Sequence, residues 1–302
     1  MKYRDFHGTK VSEIGFGSSG FWGDRRFPET SAERLVHEAY FDHGINHFDT
    51  GHNYCNYNSE PRLGRALQPL CRSDILISSK AGTLRRKFGG ANHSTTDFSP
   101  DYIETACAQS LANLKTDYLD IFYLHGIPVE KITDELVKRL HRMKRCGMVR
   151  FVGINTHKDE VMKHIVGMPD VFDVALIDFN MAQPERMDAI RMLRRAGISV
   201  MVGNVLAQGH LIPGKIGRIR SRADLFYLLR ALIKKDSRRL AAIAKAARSA
   251  GGNGLSPAQA AMAYALNVPE ITSCIFGTTN AMNLADIAET SERLAANHVP
   301  TS

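Results

Sequence analysis

Short, unbroken apolar runs alternate with longer stretches of helical period along most of this chain. Ile45 to Phe48, Ile75 to Ile77, Ile121 to Leu124, Val149 to Ile154, Val174 to Ile177 and Ile198 to Val202 read as strands buried on both faces. Between them, Ile103, Ala106, Cys107, Ser110, Leu111 and Leu114 mark one face of a helix opened by Ser99-Pro100-Asp101, with Ser99 as N-cap. Thr133 caps a helix carrying Leu136, Val137, Leu140 and Met143 that stops at Gly147, and a helix from Arg186 to Arg195 stops at Gly197. With Glu13 to Gly17 first and Ile271 to Phe276 last, the strands number about eight, at which a parallel barrel closes. The expectation is an α/β fold, a (β/α)8 TIM barrel in a single domain over residues 1–302, with Met1 to Val11 as a β-hairpin closing its bottom.

One motif argues for a different fold and is set aside. Gly15-Phe16-Gly17-Ser18-Ser19-Gly20 fits G-x-G-x-x-G, but that fingerprint needs a helix at the glycines, and Phe21 to Pro28 intervene. The better helix start is Thr30, with Glu33 completing a capping box. Composition adds bounds. The chain has 302 residues and is 44% hydrophobic, enough for a large core, and no run approaches the ~20 apolar residues of a spanning helix. No leader-like segment opens it, so a soluble cytoplasmic protein with no membrane partner is expected. Five scattered cysteines without a Cys-x-x-Cys pair suggest thiols rather than a metal site.

A formal charge of +8 is concentrated from Lys215 to Arg239, and a solvated helical face is the usual fate of such a run. Neither aromatic interleaving nor a reading helix accompanies it, so nucleic acid is not an expected partner, while an anionic small molecule is a possible one.

The chemistry lies at the ends of the apolar runs. Asp49, Tyr54, Lys80 and His125 each follow one of them, so neighbouring strands would bring an acid, a phenol, an amine and an imidazole together. Singly, each has an ordinary explanation: a turn, surface packing, a solvated cation, a satisfied histidine. Together they form a group that can protonate an alkoxide. A phenol ionises near pH ~10 and a neighbouring cation favours its phenolate. Such a group has no electron donor of its own, so hydride must come from a nicotinamide.

These residues and their surroundings resemble the aldo-keto reductase superfamily. The similarity runs through Gly44-Ile45-Asn46-His47-Phe48-Asp49-Thr50 with Tyr54, Ser59-Glu60, Leu63-Gly64-Arg65-Ala66-Leu67, the Lys80 and His125 strands, Leu255 to Ala261 and Ile275-Phe276-Gly277-Thr278. The resemblance implies NADPH-dependent reduction of a small carbonyl substrate through an Asp49, Tyr54, Lys80, His125 tetrad. It implies cofactor contacts at Gly17, Asn155, Thr156, Leu206, Gly209, Gly277, Thr278, Thr279 and Asn283, with NADPH (NADP) ahead of NADH. The chain departs from the family at Leu176, where a glutamine is usual, at Gly203, where an aromatic ring stacks on nicotinamide, and at Gly277 and Asn283, where basic residues grip a 2′-phosphate. Thr278, Thr279 and Asn280 are then the candidates for a phosphate at a helix start. Trp22, Phe21 and Phe88 are candidate apolar lining at the mouth, and His52 and Cys55 flank Tyr54. Two other readings use the same residues: a redox-neutral epimerase or lyase, and a nicotinamide-binding sensor or auxiliary subunit.

Overall fold

The computed structural model describes residues 1–88, 91–207 and 254–296. Its centre is a closed barrel of eight parallel strands. The sequence runs supply them in order: β3 (Ile14–Gly17), β4 (His47–Asp49), β5 (Leu76–Ala81), β8 (Leu119–His125), β9 (Val149–Thr156), β10 (Val174–Asp178), β11 (Ser199–Gly203) and β12 (Ile271–Phe276), which pairs back onto β3. Among the described residues the helices are α1 (Glu29–His37), α2 (Ser59–Leu67), α3 (Pro100–Leu114), α4 (Asp134–Arg145), α5 (Asp159–Ile165), α6 (Arg186–Arg195), α7 (Pro257–Leu266) and α8 (Ala281–Ala296). Their apolar stripes pack on the outer face of the barrel, where Phe16, Phe48, Ile77, Phe122, Val152, Val200 and Cys274 meet them. No described helix is long and apolar enough to cross a membrane.

The barrel's lower interior is a second, smaller apolar layer. Leu76, Ile121, Tyr123, Val174, Leu176 and Met201 point inward there and close on Phe6 and Val11. Those two belong to the hairpin β1 (Tyr3–Phe6) and β2 (Thr9–Ser12), which plugs the bottom as expected. Full burial of Phe6 and Val11 stabilises by about 1.5–3 kcal/mol each. Arg4 secures the plug: it pairs with Glu13 at 2.9 Å and donates to the carbonyls of Leu266, Val268 and Ile271 around the α7–β12 turn.

Three details depart from the sequence reading. The first helix begins at Glu29 with Pro28 as its N-cap, not at Thr30, and no side chain caps it. Its entry is set instead by Arg62, whose guanidinium binds the carbonyls of Trp22, Asp24 and Phe27 just upstream. Ser99 stands at an N-cap position but makes no side-chain cap bond, whereas the Thr133 hydroxyl accepts from the Leu136 amide at 3.3 Å. A second hairpin, β6 (Thr83–Phe88) with β7 (Ala91–Thr96), rises from the end of β5, in a segment where the apolar pattern marks no strand. The glycine fingerprint opens no helix: β3 ends at Gly17 and a 3-10 turn spans Gly20–Gly23. The basic run from Lys215 to Arg239 and Gly209 lie outside the described residues.

Helices α2 and α3 cross at Gly64, where an added Cβ would lie 2.4 Å from the Asn113 carbonyl and 2.7 Å from the Leu114 Cα. Both obstacles are backbone. Gly64→Ala should therefore destabilise the fold by roughly 1–3 kcal/mol despite alanine's better helix propensity. Urea unfolding of the pair measures this; an unchanged or raised midpoint would mean the helices do not touch there.

Candidate active site

Alternation in the strands explains how the site assembles. Side chains two residues apart share a face, so His47 and Asp49 on β4, Ser78 and Lys80 on β5, and Tyr123 and His125 on β8 point into the barrel in two tiers. The register Asp49↔Ser78, Lys80↔Tyr123 and His125↔Asn155 sets the tiers side by side at the C-terminal rim. Lys80 lies within β5 rather than after it, because Ser78 and Ser79 continue the strand. Tyr54 arrives from the loop after β4, whose amides at Thr50 and His52 donate to the carbonyls of Ser78 and Lys80.

That loop is held tightly. Cys55, Asn56 and Tyr57 follow Tyr54 with φ of 52, 55 and 64°, a left-handed run that costs about 1–2 kcal/mol per residue. Neighbouring groups hold it: Cys55 Sγ bonds the Gly20 carbonyl, Asn58 Nδ2 the Gly23 carbonyl, and Ser59 Oγ the Ser18 carbonyl. Gly51 completes the fit, since a Cβ there would stand 3.0 Å from both Lys80 Cγ and the Tyr54 ring. Below, buried Glu60 at the start of α2 accepts from Ser79 Oγ at 2.6 Å and Asn113 Nδ2 at 3.1 Å, with His52 Nδ1 at 3.4 Å. Burial opposes its charge, but these bonds, led by His52, keep its carboxyl below the usual carboxylate range.

The central contact is ionic. Lys80 Nζ donates to Asp49 Oδ1 at 2.8 Å, Asp49 Oδ2 at 2.7 Å and the Thr50 carbonyl at 2.7 Å, with lysine and aspartate only 1% and 5% exposed. Burial works against the ammonium, yet attraction to Asp49 and then Tyr54, with hydrogen bonds to both, raises its pKa above the ordinary lysine value. Lys80 is therefore a fixed cation 5.1 Å from the centre of the Tyr54 ring. The Tyr54 and His125 rings face each other edge-on at 6.0 Å. One tier below, burial pushes the His47 imidazole down to about 4, so it is neutral.

Asp49, Tyr54, Lys80 and His125 line one pocket of about 380 Å³. Gly17, Asn155, Leu206 and Gly277 line it too. Thr156, Thr278, Thr279 and Asn283 do not: Thr156 is buried with its hydroxyl accepting from the Lys158 amide, and Thr278 accepts from the Asn280 amide. At the start of α8, Asn280 Oδ1 accepts from the amides of Met282 at 2.8 Å and Asn283 at 3.4 Å, so a phosphate there would have to displace a side-chain cap. Trp22 is a core residue against Phe16, and neither it, Phe21, His52 nor Cys55 lines the pocket; the Phe88 side chain lies outside the described residues.

The sequence reading missed a polar wall. Asp178 at the end of β10 accepts from Asn204 Nδ2 at 3.1 Å and faces His157 Nδ1 at 3.4 Å, and all three line the pocket with Asn155. Their signal is positional: Asp178 closes β10, and His157 and Asn204 directly follow β9 and β11. Asn155 Nδ2 donates to the Leu176 carbonyl at 3.0 Å.

Comparison with known proteins fits this geometry. The family model described as the aldo/keto reductase family matches residues 13–298. An uncharacterized oxidoreductase of Bacillus subtilis is 26% identical over 280 residues, 91% of this chain and 86% of that protein. L-Galactose dehydrogenase of Arabidopsis thaliana is 32% identical over 215 residues, 68% of this chain and 64% of that protein. The holo form of an aldo-keto reductase from Bacillus halodurans superposes with a TM-score of 0.75 at 25% identity, covering 97% of this chain and 91% of that one. The chain belongs to the aldo/keto reductase family. It is an oxidoreductase of a family whose members reduce small carbonyl compounds with nicotinamide cofactors.

The buried His47 gives the site a pH signature. The unfolded chain takes up a proton as pH falls through 6.5, whereas the folded imidazole resists until about 4, so this group's contribution is intact above 6.5 and is lost on acidification between the two. The loss should reach roughly 2–3 kcal/mol between pH 7 and pH 4.5. Urea unfolding of the parent and a His47→Met variant at both pH values isolates it as the difference in slope; parallel slopes would refute a buried neutral imidazole.

Proposed function

We propose that this chain reversibly interconverts a small aldehyde or ketone and its alcohol, with Tyr54 as general acid, Lys80 favouring its ionised form, Asp49 holding Lys80, and His125 orienting the carbonyl oxygen. The observation that carries the reading is the buried Asp49–Lys80 pair beneath Tyr54, with His125 across the same pocket. In the reducing direction, Tyr54 and His125 hydrogen-bond the carbonyl oxygen, and Tyr54 transfers its proton as negative charge develops there. The ammonium of Lys80 stabilises the phenolate left behind. In the reverse direction that phenolate accepts the alcohol proton.

A nicotinamide dinucleotide supplies the hydride when bound. The pocket suits its nicotinamide end: Asn155 offers an amide, and Gly17 and Gly277 leave bare backbone, a Cβ at Gly277 meeting the Gly17 carbonyl at 2.6 Å. NADPH stays ahead of NADH on family resemblance alone, since Gly277 and Asn283 are uncharged. Asp178 on the wall favours a neutral polar substrate over an anionic one, because a carboxylate in the pocket repels a second negative charge. The whole chain acts as one domain.

A second reading has its own support. A probable voltage-gated potassium channel β subunit of Arabidopsis thaliana is 24% identical over 298 residues, 92% of this chain and 88% of that protein. An auxiliary role would show as cofactor binding without turnover.

Absorbance at 340 nm during turnover of a panel of neutral aldehydes and ketones tests the first reading. Tyr54→Phe should lower kcat by roughly 10²-fold or more with the fold intact, and Lys80→Met should lower it as far while costing about 3–5 kcal/mol of stability, because it leaves Asp49 buried without its cation. A Tyr54→Phe variant as active as the parent would end the assignment.

A further inference from the structure

One polar file in the barrel interior has no part in the scheme above. His47 on β4, Ser78 on β5 and Ser273 on β12 are each completely buried. His47 Nδ1 lies 3.3 Å from Ser273 Oγ, His47 Nε2 lies 3.1 Å from Ser78 Oγ, and Ser78 Oγ lies 2.7 Å from Asp49 Oδ1. The ring reaches from β4 to β12 by crossing β3 at Gly15, where a Cβ would stand 2.9 Å from Nδ1 and 2.8 Å from Ile275 Cδ1. Only glycine leaves that passage open.

The directions of the hydrogen bonds follow from the donors available. Asp49 is a carboxylate paired with an ammonium and can only accept, so the Ser78 hydroxyl donates to it. Having spent its proton, Ser78 must accept from His47, which therefore carries its hydrogen on Nε2. The Nδ1 lone pair is left to accept from the Ser273 hydroxyl. Every hydrogen in the file points toward Asp49.

We propose that Ser273, His47 and Ser78 form a directed hydrogen-bond file that fixes the rotation of the Asp49 carboxylate, making His47 and Ser78 positioning residues for the reaction. The proposal rests on the functional reading above for its kinetic consequence. Asp49 Oδ1 receives Lys80 and Ser78 together, while Oδ2 receives Lys80. The third bond stops the carboxylate from turning about its own axis. With it gone, the ammonium loses its fixed place beneath Tyr54, and proton transfer slows while substrate binding, which uses other walls, is little changed.

The test uses the full-length protein with ¹⁵N-labelled histidine and two kinetic variants. The His47 ring nitrogens should show a neutral imidazole with hydrogen on Nε2 at pH 7, and Ser78→Ala should abolish that single-tautomer signature. Ser78→Ala and His47→Phe should each lower kcat roughly tenfold to a hundredfold with KM within about twofold, and Ser78→Thr should restore most of the rate. The double variant should be no slower than the slower single one, because both changes cut the same file. Ser78→Ala, a small change, stands alone if His47→Phe fails to fold. An Nδ1-protonated or cationic ring at pH 7, or rate losses that multiply in the double variant, would overturn the proposal. A parent that turns over no carbonyl would sink the functional reading instead, and the tautomer signature would still decide whether the file exists.

Discussion

A buried ammonium bound to both oxygens of a buried carboxylate is the contact on which the rest of this molecule depends. Removing a lysine from water costs several kcal/mol, and Lys80 stays charged because Asp49 and the Thr50 carbonyl together receive its protons at 2.7–2.8 Å. Such a pair is not chosen for stability, since an apolar pair of the same volume would cost less to bury. Its consequence is a positive charge of fixed position at the top of the barrel. Everything nearby is arranged to keep it there: Gly51 admits the lysine stem and the Tyr54 ring, and the left-handed turn at Cys55 to Tyr57 delivers the phenol.

The barrel separates two tasks by height. Its lower interior is sealed by Phe6 and Val11 against Leu76, Ile121, Val174 and Met201, a layer in which no charge would be tolerated. Its upper interior is polar, from Ser273 through His47 and Ser78 to the Asp49–Lys80 pair, and opens into a pocket walled by Asn155, Asp178 and Asn204. Tyr123 sits where the layers meet, with burial, then Asp49, pushing its phenol well above the ordinary value. A neutral Tyr123 beneath the pocket leaves Tyr54 as the phenol exposed to the cation from the solvent side.

Much of this was legible in the residues. Continuous apolar runs identify buried parallel strands, because helices cover one face and the packed interior the other, and the plug hairpin and the positions of Asp49, Tyr54, Lys80 and His125 follow from the same pattern. What was not legible has physical causes. The β6–β7 hairpin is built of Arg85, Arg86, Lys87, His93 and other polar residues, which hydrophobic periodicity passes over. The start of α1 is set by Arg62 from a distant helix, a tertiary bond that no local capping rule contains. Thr156 looked like a binding residue by position, but strand alternation turns it away from the pocket and gives its hydroxyl to the chain's own backbone. His47 and Ser78 were overlooked although each stands two residues before a recognised site residue, and the same alternation assigns them to the barrel interior.

The claim underlying this account is that the Lys80 cation acts directly on the Tyr54 phenol. NMR titration of ¹³Cζ-labelled tyrosine in the parent and in Lys80→Met measures that coupling without substrate or cofactor. The account predicts that Tyr54 ionises at a distinctly lower pH in the parent than in the variant; coincident midpoints would contradict it.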